Sequence, residues 1–439
     1  MQIKFSLPSL RYIILFNLIL KVGLFLYTAP WKESVEKKMI VGDSEGYQRI
    51  ALSLLKDHSY SPPLDTNNIS FYSENTLKKY LTQHKDAMRL PVYPTYIAFV
   101  YLIAGAKPFI VIFIQLLFSL FSVALVYNIC FLLFNNKNIG LIASFIFCFD
   151  PDSIYESNRL LTDTFFVLFL LASVYYFLKY LKKSEFKNIY LSAIWMGITC
   201  LTRPVAMLYS ILPMIMLFCF KKESVKVKIK SCVVYVLMVS AFVGMWSYRN
   251  HCKYQTWQLT AQSGPLVFMW DAAMTEAKRT NKTLQEVRYQ FQLQADSLGF
   301  KTEKNVFKQT AIYEKLGMNY IKQHTGYFIF NYIEGSVKMF FIYGSGHAKN
   351  TTQRTIDILA ALVLLLQYIG FLYGLVQLFR RKKYLPLVLC IITIFYFMLV
   401  TGVIGEMLER YKLPIVPFIC ICSGYGYYCL IEKTKAIKS

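Results

Sequence analysis

The residues able to do chemistry in this chain fall at four places, each beside a long apolar run. In GDSEGYQRIALSLL (42–55), Asp43 follows Gly42 and opens a stretch whose apolar positions Ile50, Leu54 and Leu55 share a helical face. A carboxylate there is an ordinary helix N-cap, or else a base or metal ligand held at the water boundary. In FDPDSIYESNRLLTDTFF (149–166), Asp152, Glu156, Arg159 and Asp163 follow i, i+4 and i+3 intervals. Those intervals suit internal ion pairing, and they equally suit a charged recess that Asp150 would help to line. In LTRPVAML (201–208), Arg203 stands between two apolar runs with no carboxylate close in sequence. Its planar fork matches phosphate oxygens, with snorkelling to the membrane interface as the alternative. Finally, GVIGEMLERYKLPIVP (402–417) gathers Glu406, Glu409, Arg410, Tyr411 and Lys412 at the entry to the last apolar run. Interface anchoring would account for Tyr411 and Lys412 as well as function does.

The elements that must position these groups follow from composition. Of 439 residues, 56% are hydrophobic and only 17% charged, against about 25% charged in soluble chains, and mean hydropathy is +0.40. A soluble enzyme, a disordered chain, a collagen-like repeat and a disulfide scaffold are all excluded. Apolar runs at about 10–28, 109–134, 139–150, 161–179, 189–203, 204–220, 229–247, 356–379, 384–402 and 411–431 approach the roughly 20 residues that cross a bilayer. The fold class is an all-α polytopic membrane protein with about ten transmembrane helices and two large external loops, at 29–107 and 248–355, that contain juxtamembrane helices. Residues 91–105 start with two prolines and number only about 15, which suits a juxtamembrane or half-inserted helix better than a full span. The run ending at Asp150 rises only about 18 Å, so the chain turns there while still at membrane depth. Lys304–Tyr343 mixes charged and aromatic residues at near-helical spacing, the pattern of helices lying along an interface.

Charge placement orients these segments. The net charge of +23 sits in short connectors: Lys179–Lys187, Lys221–Lys230, Arg380–Lys383 and Lys433–Lys438. Clusters this close to spans mark cytoplasmic ends, which puts both termini inside and all four chemical places outside. No nucleic-acid partner is indicated, because no soluble basic domain exists to carry one. Nine of the ten cysteines fall in or beside apolar runs, only Cys252 lies in an external loop, and no disulfide pair is implied. The run from Leu10 to Tyr27 has no small-x-small cleavage pattern and reads as an uncleaved first span.

Taken in order, Asp43 with Tyr47, RLPVYP (89–94), LLTDTFF with Asp163, LTRP (201–204), WSYRN (246–250) and ERYKLPIVP (409–417) resemble the polyprenyl-phosphate-dependent glycosyltransferases of the C superfamily. The likeness is to the protein O-mannosyltransferase and lipid A aminoarabinose transferase group, and it covers most of the chain. Asp163 departs from the pattern, standing where relatives often carry Glu, and the chain ends after its tenth span without the soluble C-terminal domain of some relatives. The resemblance implies one membrane-embedded glycosyltransferase domain over 1–439. That domain would move a hexose or pentose from a polyprenyl-phosphate carrier, undecaprenyl or dolichyl, to a lipid, glycan or protein acceptor on the extracytoplasmic face by inverting direct displacement. It further implies Asp43 as base with Asp163 supporting it, and Lys85, Arg89, Arg203 and Arg410 around the donor phosphate. Tyr47, Tyr93, Glu156, Arg159, Glu406 and Tyr411 would contact substrate. Two carboxylates without histidine could hold a hard cation, Mg²⁺ or Mn²⁺, at Asp43 and Asp163. Residue usage leans toward a bacterial inner membrane. The rival class is a transporter or flippase, which intramembrane charges would also serve; it predicts a midplane site between two halves, and no internal repeat is found here.

Overall fold

The computed structural model describes residues 9–32, 42–56, 58–60, 86–341, 351–401 and 408–438, with positions 34, 36 and 40 between the first two blocks. Among the described residues the regular structure is helical, with no strand. Helix α1 (Leu10–Thr28) precedes the short α2 (Asp43–Lys56), and α3 (Val92–Ala104) turns through Gly105 into the long α4 (Pro108–Phe134). Next come α5 (Lys137–Cys148), the single turn and a half of α6 (Pro151–Glu156), α7 (Asp163–Lys183) and α8 (Phe186–Cys200). Two short pieces, α9 (Ala206–Tyr209) and α10 (Leu212–Phe220), lead to α11 (Val225–Tyr254). Beyond a π-helical turn at Leu266–Ala272 lie α12 (Ala273–Thr280), α13 (Leu284–Ser297), α14 (Val306–Gln323) and α15 (Thr325–Phe341). The chain closes with α16 (Thr351–Arg380), α17 (Tyr384–Thr401), the short α18 (Leu408–Lys412) and α19 (Val416–Lys438).

The apolar runs read from the sequence are mainly helical among the described residues, with the run at 204–220 broken into α9 and α10. Among the described residues, six helices are long and apolar enough to cross a membrane: α1, α4, α7, α11, the Arg354–Arg380 part of α16, and α17. The segments Val92–Ala104, Lys137–Cys148 and Ala206–Phe220 are apolar but shorter. The expected turn at Asp150 is present, since its carboxylate caps α6 by accepting from the Ser153 amide at 2.8 Å.

Two helices form the centre. In α7 72% of the apolar window is buried, and in α19 the stretch from Phe418 to Ser423 is fully enclosed. A helix apolar on all sides must be surrounded by others, and both are. Small residues allow the closest approach: a Cβ placed on Gly374 of α16 would lie 2.0 Å from the Cys422 carbonyl oxygen of α19, and one on Gly426 would lie 2.3 Å from that of Gly370. Since α7 and α19 run the same way, their first residues emerge at one end of the bundle. That end also holds the C-terminus of α8 and the N-terminus of α2. The basic clusters gather at the other end, where Lys221 Nζ donates to the Tyr180 carbonyl at 2.6 Å and Arg381 meets Glu432 at 3.4 Å.

Residues 263–323 make a small bundle with its own core, in which Phe268 stacks on Phe291 with centroids 4.5 Å apart and Phe300 stacks on Tyr313 at 4.3 Å. This corrects the interface-helix expectation for α14, whose Phe307 and Tyr313 are buried. Only α15 keeps the interfacial pattern, with Tyr327, Phe330, Ile333 and Val337 exposed along one face.

Candidate active site

Each functional side chain is placed by a helix end at the same end of the bundle. Asp43 is the first residue of α2, entered through Gly42 at φ 59°, a left-handed conformation that costs glycine little. Asp163 begins α7, where the exposed amides of the first turn favour a carboxylate. Arg203 follows the C-terminus of α8, its amide bonded to the Thr199 carbonyl at 3.0 Å before Pro204 ends the helical run. Arg410 lies in α18, just ahead of the enclosed α19.

Arg89 comes from no helix and is pinned by its neighbours. Asp86 Oδ1 accepts from the Met88 and Arg89 amides at 2.8 and 2.7 Å, and Tyr60 Oη donates to the Arg89 carbonyl at 3.2 Å. From the other side, the Ala261 amide donates to the Ala87 carbonyl at 2.9 Å and Thr260 Oγ1 to the Met88 carbonyl at 2.8 Å. The guanidinium then lies flat over Gly46, where a Cβ would meet Arg89 Cζ at 2.8 Å. Two turns of sequence thus fit together: a glycine three residues after Asp43 makes the seat for the arginine that pairs with it.

These groups form one alternating row. Arg89 Nη2 donates to Asp43 Oδ1 at 3.1 Å, and Arg410 Nη1 donates to Asp43 Oδ2 at 2.8 Å. Arg410 Nε donates to Asp163 Oδ2 at 2.6 Å, and Arg203 Nη1 pairs with Asp163 Oδ1. Asp86 Oδ2 flanks the row 3.9 Å from Arg89 Nη1, so three guanidinium groups face three carboxylates. The two carboxylates differ in access, since the Asp163 side chain is wholly buried and that of Asp43 is 40% exposed. Burial alone would raise the Asp43 carboxyl, but Arg410 and Arg89 outweigh it and hold this group well below the usual carboxylate range. Tyr47 stands one turn along α2, with Arg89 5.8 Å from its ring, and Arg203 lies between the faces of Phe166 and Tyr411 at 5.6 and 5.7 Å.

Residues 88–248 match the family model described as dolichyl-phosphate-mannose-protein mannosyltransferase. This span contains Arg89, Asp163 and Arg203, and it ends within the WSYRN motif, at Tyr248. The oligosaccharyltransferase of Archaeoglobus fulgidus aligns in its apo form over 100% of this chain and 52% of its own, with 12% identity and a TM-score of 0.56. The same enzyme, as AglB with an inhibitory peptide and a dolichol-phosphate, aligns over 98% of this chain and 51% of its own, with 12% identity and a TM-score of 0.52. The chain shares the fold of these membrane-embedded structures. This chain spans about half the length of those solved structures. No curated protein matches it in sequence.

Within this fold, the sequence-derived candidates separate by position. Asp43, Arg89, Asp163, Arg203 and Arg410 are joined, with Tyr47 and Tyr411 against their guanidinium groups. Tyr93 lies behind that layer: it is 1% exposed, its ring meets Tyr47 edge-on, and its hydroxyl donates to Gln115 Oε1 at 2.7 Å. Glu156 and Arg159 pair with each other at 3.0 Å across the end of α6, and Glu156 lies within electrostatic reach of Asp163 and Arg410. Asp150 and Asp152 turn inward, and Asp152 forms a buried ion pair at 2.5 Å with Lys412. Lys85 and Glu406 lie outside the described residues.

The donor set does not fit a divalent ion shared by Asp43 and Asp163. Both oxygens of each carboxylate accept from guanidinium groups, and Arg410 occupies the line between them. An Mg²⁺ or Mn²⁺ ion needs several oxygen ligands and would meet positive charge there. Among the described residues no three His, Cys, Asp or Glu side chains gather as ligands.

Sequence reasoning missed several positioning residues. Asp86 could have been noticed from DAMR, an acid three residues before an arginine. Lys21, 1% exposed and donating to Ser119 Oγ at 2.7 Å, carried the clearer signal of a lone cation within an apolar run. Arg249 and Asn250 stand in the WSYRN motif, but the sequence assigned them no role, and the Tyr60 ring that Arg249 meets is 189 residues away. Arg249 lies over the rings of Trp246 and Tyr60 at 4.7 and 5.3 Å, and Asn250 Nδ2 donates to the Gln258 and Leu259 carbonyls at 2.9 and 3.1 Å.

Proposed function

We propose that the protein transfers a sugar from a polyprenyl-phosphate carrier to an acceptor hydroxyl or amide on the extracytoplasmic side of a membrane. The observation that carries this reading is the row from Arg89 to Arg203, three converging guanidinium groups with one accessible carboxylate at a bundle end remote from the basic clusters. A hydroxyl acceptor is a weak nucleophile at neutral pH and needs a base as it attacks the anomeric carbon. Asp43 takes that proton while the bond from the anomeric carbon to the phosphate oxygen breaks. The leaving group departs as a polyprenyl phosphate monoester, and its added negative charge develops beside Arg89, Arg410 and Arg203. Direct attack inverts the anomeric centre. Asp163, buried and doubly paired, positions Arg203 and Arg410. Family likeness over residues 88–248 and the dolichol-phosphate bound in the archaeal structure of the same fold support a lipid-phosphate donor. In this reading a bacterial inner membrane holds the chain, with basic clusters and termini on the cytoplasmic side.

Native mass spectrometry of detergent-purified protein with undecaprenyl phosphate and with dolichyl phosphate tests the proposal. Saturable binding of a carrier that weakens at least tenfold in Arg203→Ala and Arg410→Ala is expected. No binding of either carrier by folded wild-type protein would overturn it.

A further inference from the structure

The row of charges assigns Asp43 a second part that rests on the transferase reading and extends it. We infer that Asp43 is a built-in competitor for the donor phosphate: before the donor arrives, its carboxylate holds Arg89 and Arg410, and the arriving phosphate exchanges with it. Three observations lead there. Both oxygens of Asp43 are engaged by guanidinium groups on opposite sides, so in this state neither is free to receive an acceptor proton. Asp43 is nevertheless the open end of the row, 40% exposed, whereas Asp163 is sealed beneath Arg410 and Arg203. The arginines retain further donors, and Arg89 Nε in particular is buried with no hydrogen-bond partner although its Nη2 bonds Asp43.

An anionic phosphate on Arg89 and Arg410 would share or take their hydrogen bonds to Asp43. The positive charge that suppresses the carboxylate's basicity would then be neutralised by the donor itself. The base would become competent when donor is in place, and Asp163 would keep Arg410 and Arg203 from following the phosphate away. The groups facing Asp43 from the packed elements are Arg89, Arg410, Arg203 and, on its own helix, Tyr47. No proton moves in the exchange: one carboxylate partner of each guanidinium is replaced by one phosphate oxygen.

The test is the affinity of full-length protein, in nanodiscs, for undecaprenyl phosphate and dolichyl phosphate lacking a sugar. If Asp43 competes, Asp43→Asn and Asp43→Ala bind carrier roughly tenfold more tightly than wild type while losing transfer, the gain reflecting removal of one partly exposed ionic competitor. Asp43→Glu, which keeps the charge, binds within about twofold of wild type. Each titration is repeated with EDTA and with added Mg²⁺. Unchanged affinity in Asp43→Asn and Asp43→Ala, alongside normal wild-type binding, sinks the competition and leaves the transferase reading intact. Weaker binding in those variants, dependent on Mg²⁺, also overturns it and makes Asp43 part of a cation bridge to the phosphate. Failure of wild type to bind either carrier removes both.

Discussion

At the residue scale, the site rests on charges buried in two layers. The outer row joins Arg89, Arg203 and Arg410 to Asp43, Asp163 and Asp86, while the inner layer is the pair of Lys412 and Asp152, each 1% exposed at the side chain. Lys412 Nζ and Asp152 Oδ2 are 2.5 Å apart but do not meet at a hydrogen-bonding angle, so the pair is mainly coulombic. It ties α18 to α6 two residues beyond Arg410, and so fixes how far that arginine reaches between Asp43 and Asp163. Removing one member strands the other charge in a dry interior, at about 3–5 kcal/mol. Lys412→Met alone is therefore expected to lower the thermal midpoint sharply and abolish carrier binding. The double variant Asp152→Leu with Lys412→Met is expected to recover most of the stability, because an apolar pair of similar volume suits that interior. A thermal-shift double-mutant cycle in detergent measures this, and equal damage in single and double variants would contradict it.

At the element scale, α11 clasps two strips of extended chain. Asn250 holds residues 258–259, and the adjoining 260–261 holds 87–88, the strip that presents Arg89. The small bundle of 263–323 is bound into the same arrangement, since Thr310 Oγ1 donates to the Ala261 carbonyl at 2.9 Å. Asn250→Ala is expected to unseat Arg89 without unfolding the bundle, weakening carrier binding about three- to tenfold with a midpoint change near 1 kcal/mol. Binding titration beside a thermal shift checks both values. This clasp also marks where sequence reading stops. Helix positions, the break at Asp150 and the charged helix ends at Asp43, Asp163, Arg203 and Arg410 were legible, because apolar runs and misplaced charges leave local traces. The link between Arg410 and Asp163 joins residues 247 apart, and no periodicity encodes it. The Glu156–Arg159 pair, three residues apart, was by contrast one of the ion pairs that the spacing offered.

The bundle of 263–323 adds a pH dependence of its own. Burial pushes the Asp271 carboxyl up to about 7. Between the ordinary carboxylate value and about 7, the folded state keeps a proton that the unfolded state has released, so stability is greatest at low pH and falls as pH rises through that window. The expected loss is ~1–3 kcal/mol from pH 4 to pH 7, reduced from the full linkage value because the side chain is only partly enclosed. Asp271→Asn should flatten the profile. Hydrogen exchange of amides in 266–297, corrected for intrinsic rates at each pH, reads it directly; a flat wild-type profile would contradict the shift.

At the scale of the whole molecule, the bundle has two chemically different ends. One carries the alternating row, the clasp and the aromatic bundle; the other carries Lys182, Lys221, Arg381 and their neighbours. In the proposed reading, cytoplasmic retention of the short basic connectors would orient the bundle with its site outward. This arrangement also suits a lipid-phosphate donor, whose sugar needs no nucleotide once it has crossed the membrane. Cys252 is exposed at the site end, at the close of α11, and so offers a native reporter. In intact cells a membrane-impermeant maleimide is expected to label Cys252, and to leave Lys382→Cys, in a background with Cys252 replaced by serine, unlabelled until the membrane is opened. The reverse pattern would place the row of arginines in the cytoplasm. There the carrier's sugar would meet the site before translocation, and the extracytoplasmic transfer would fail even if the carrier still bound.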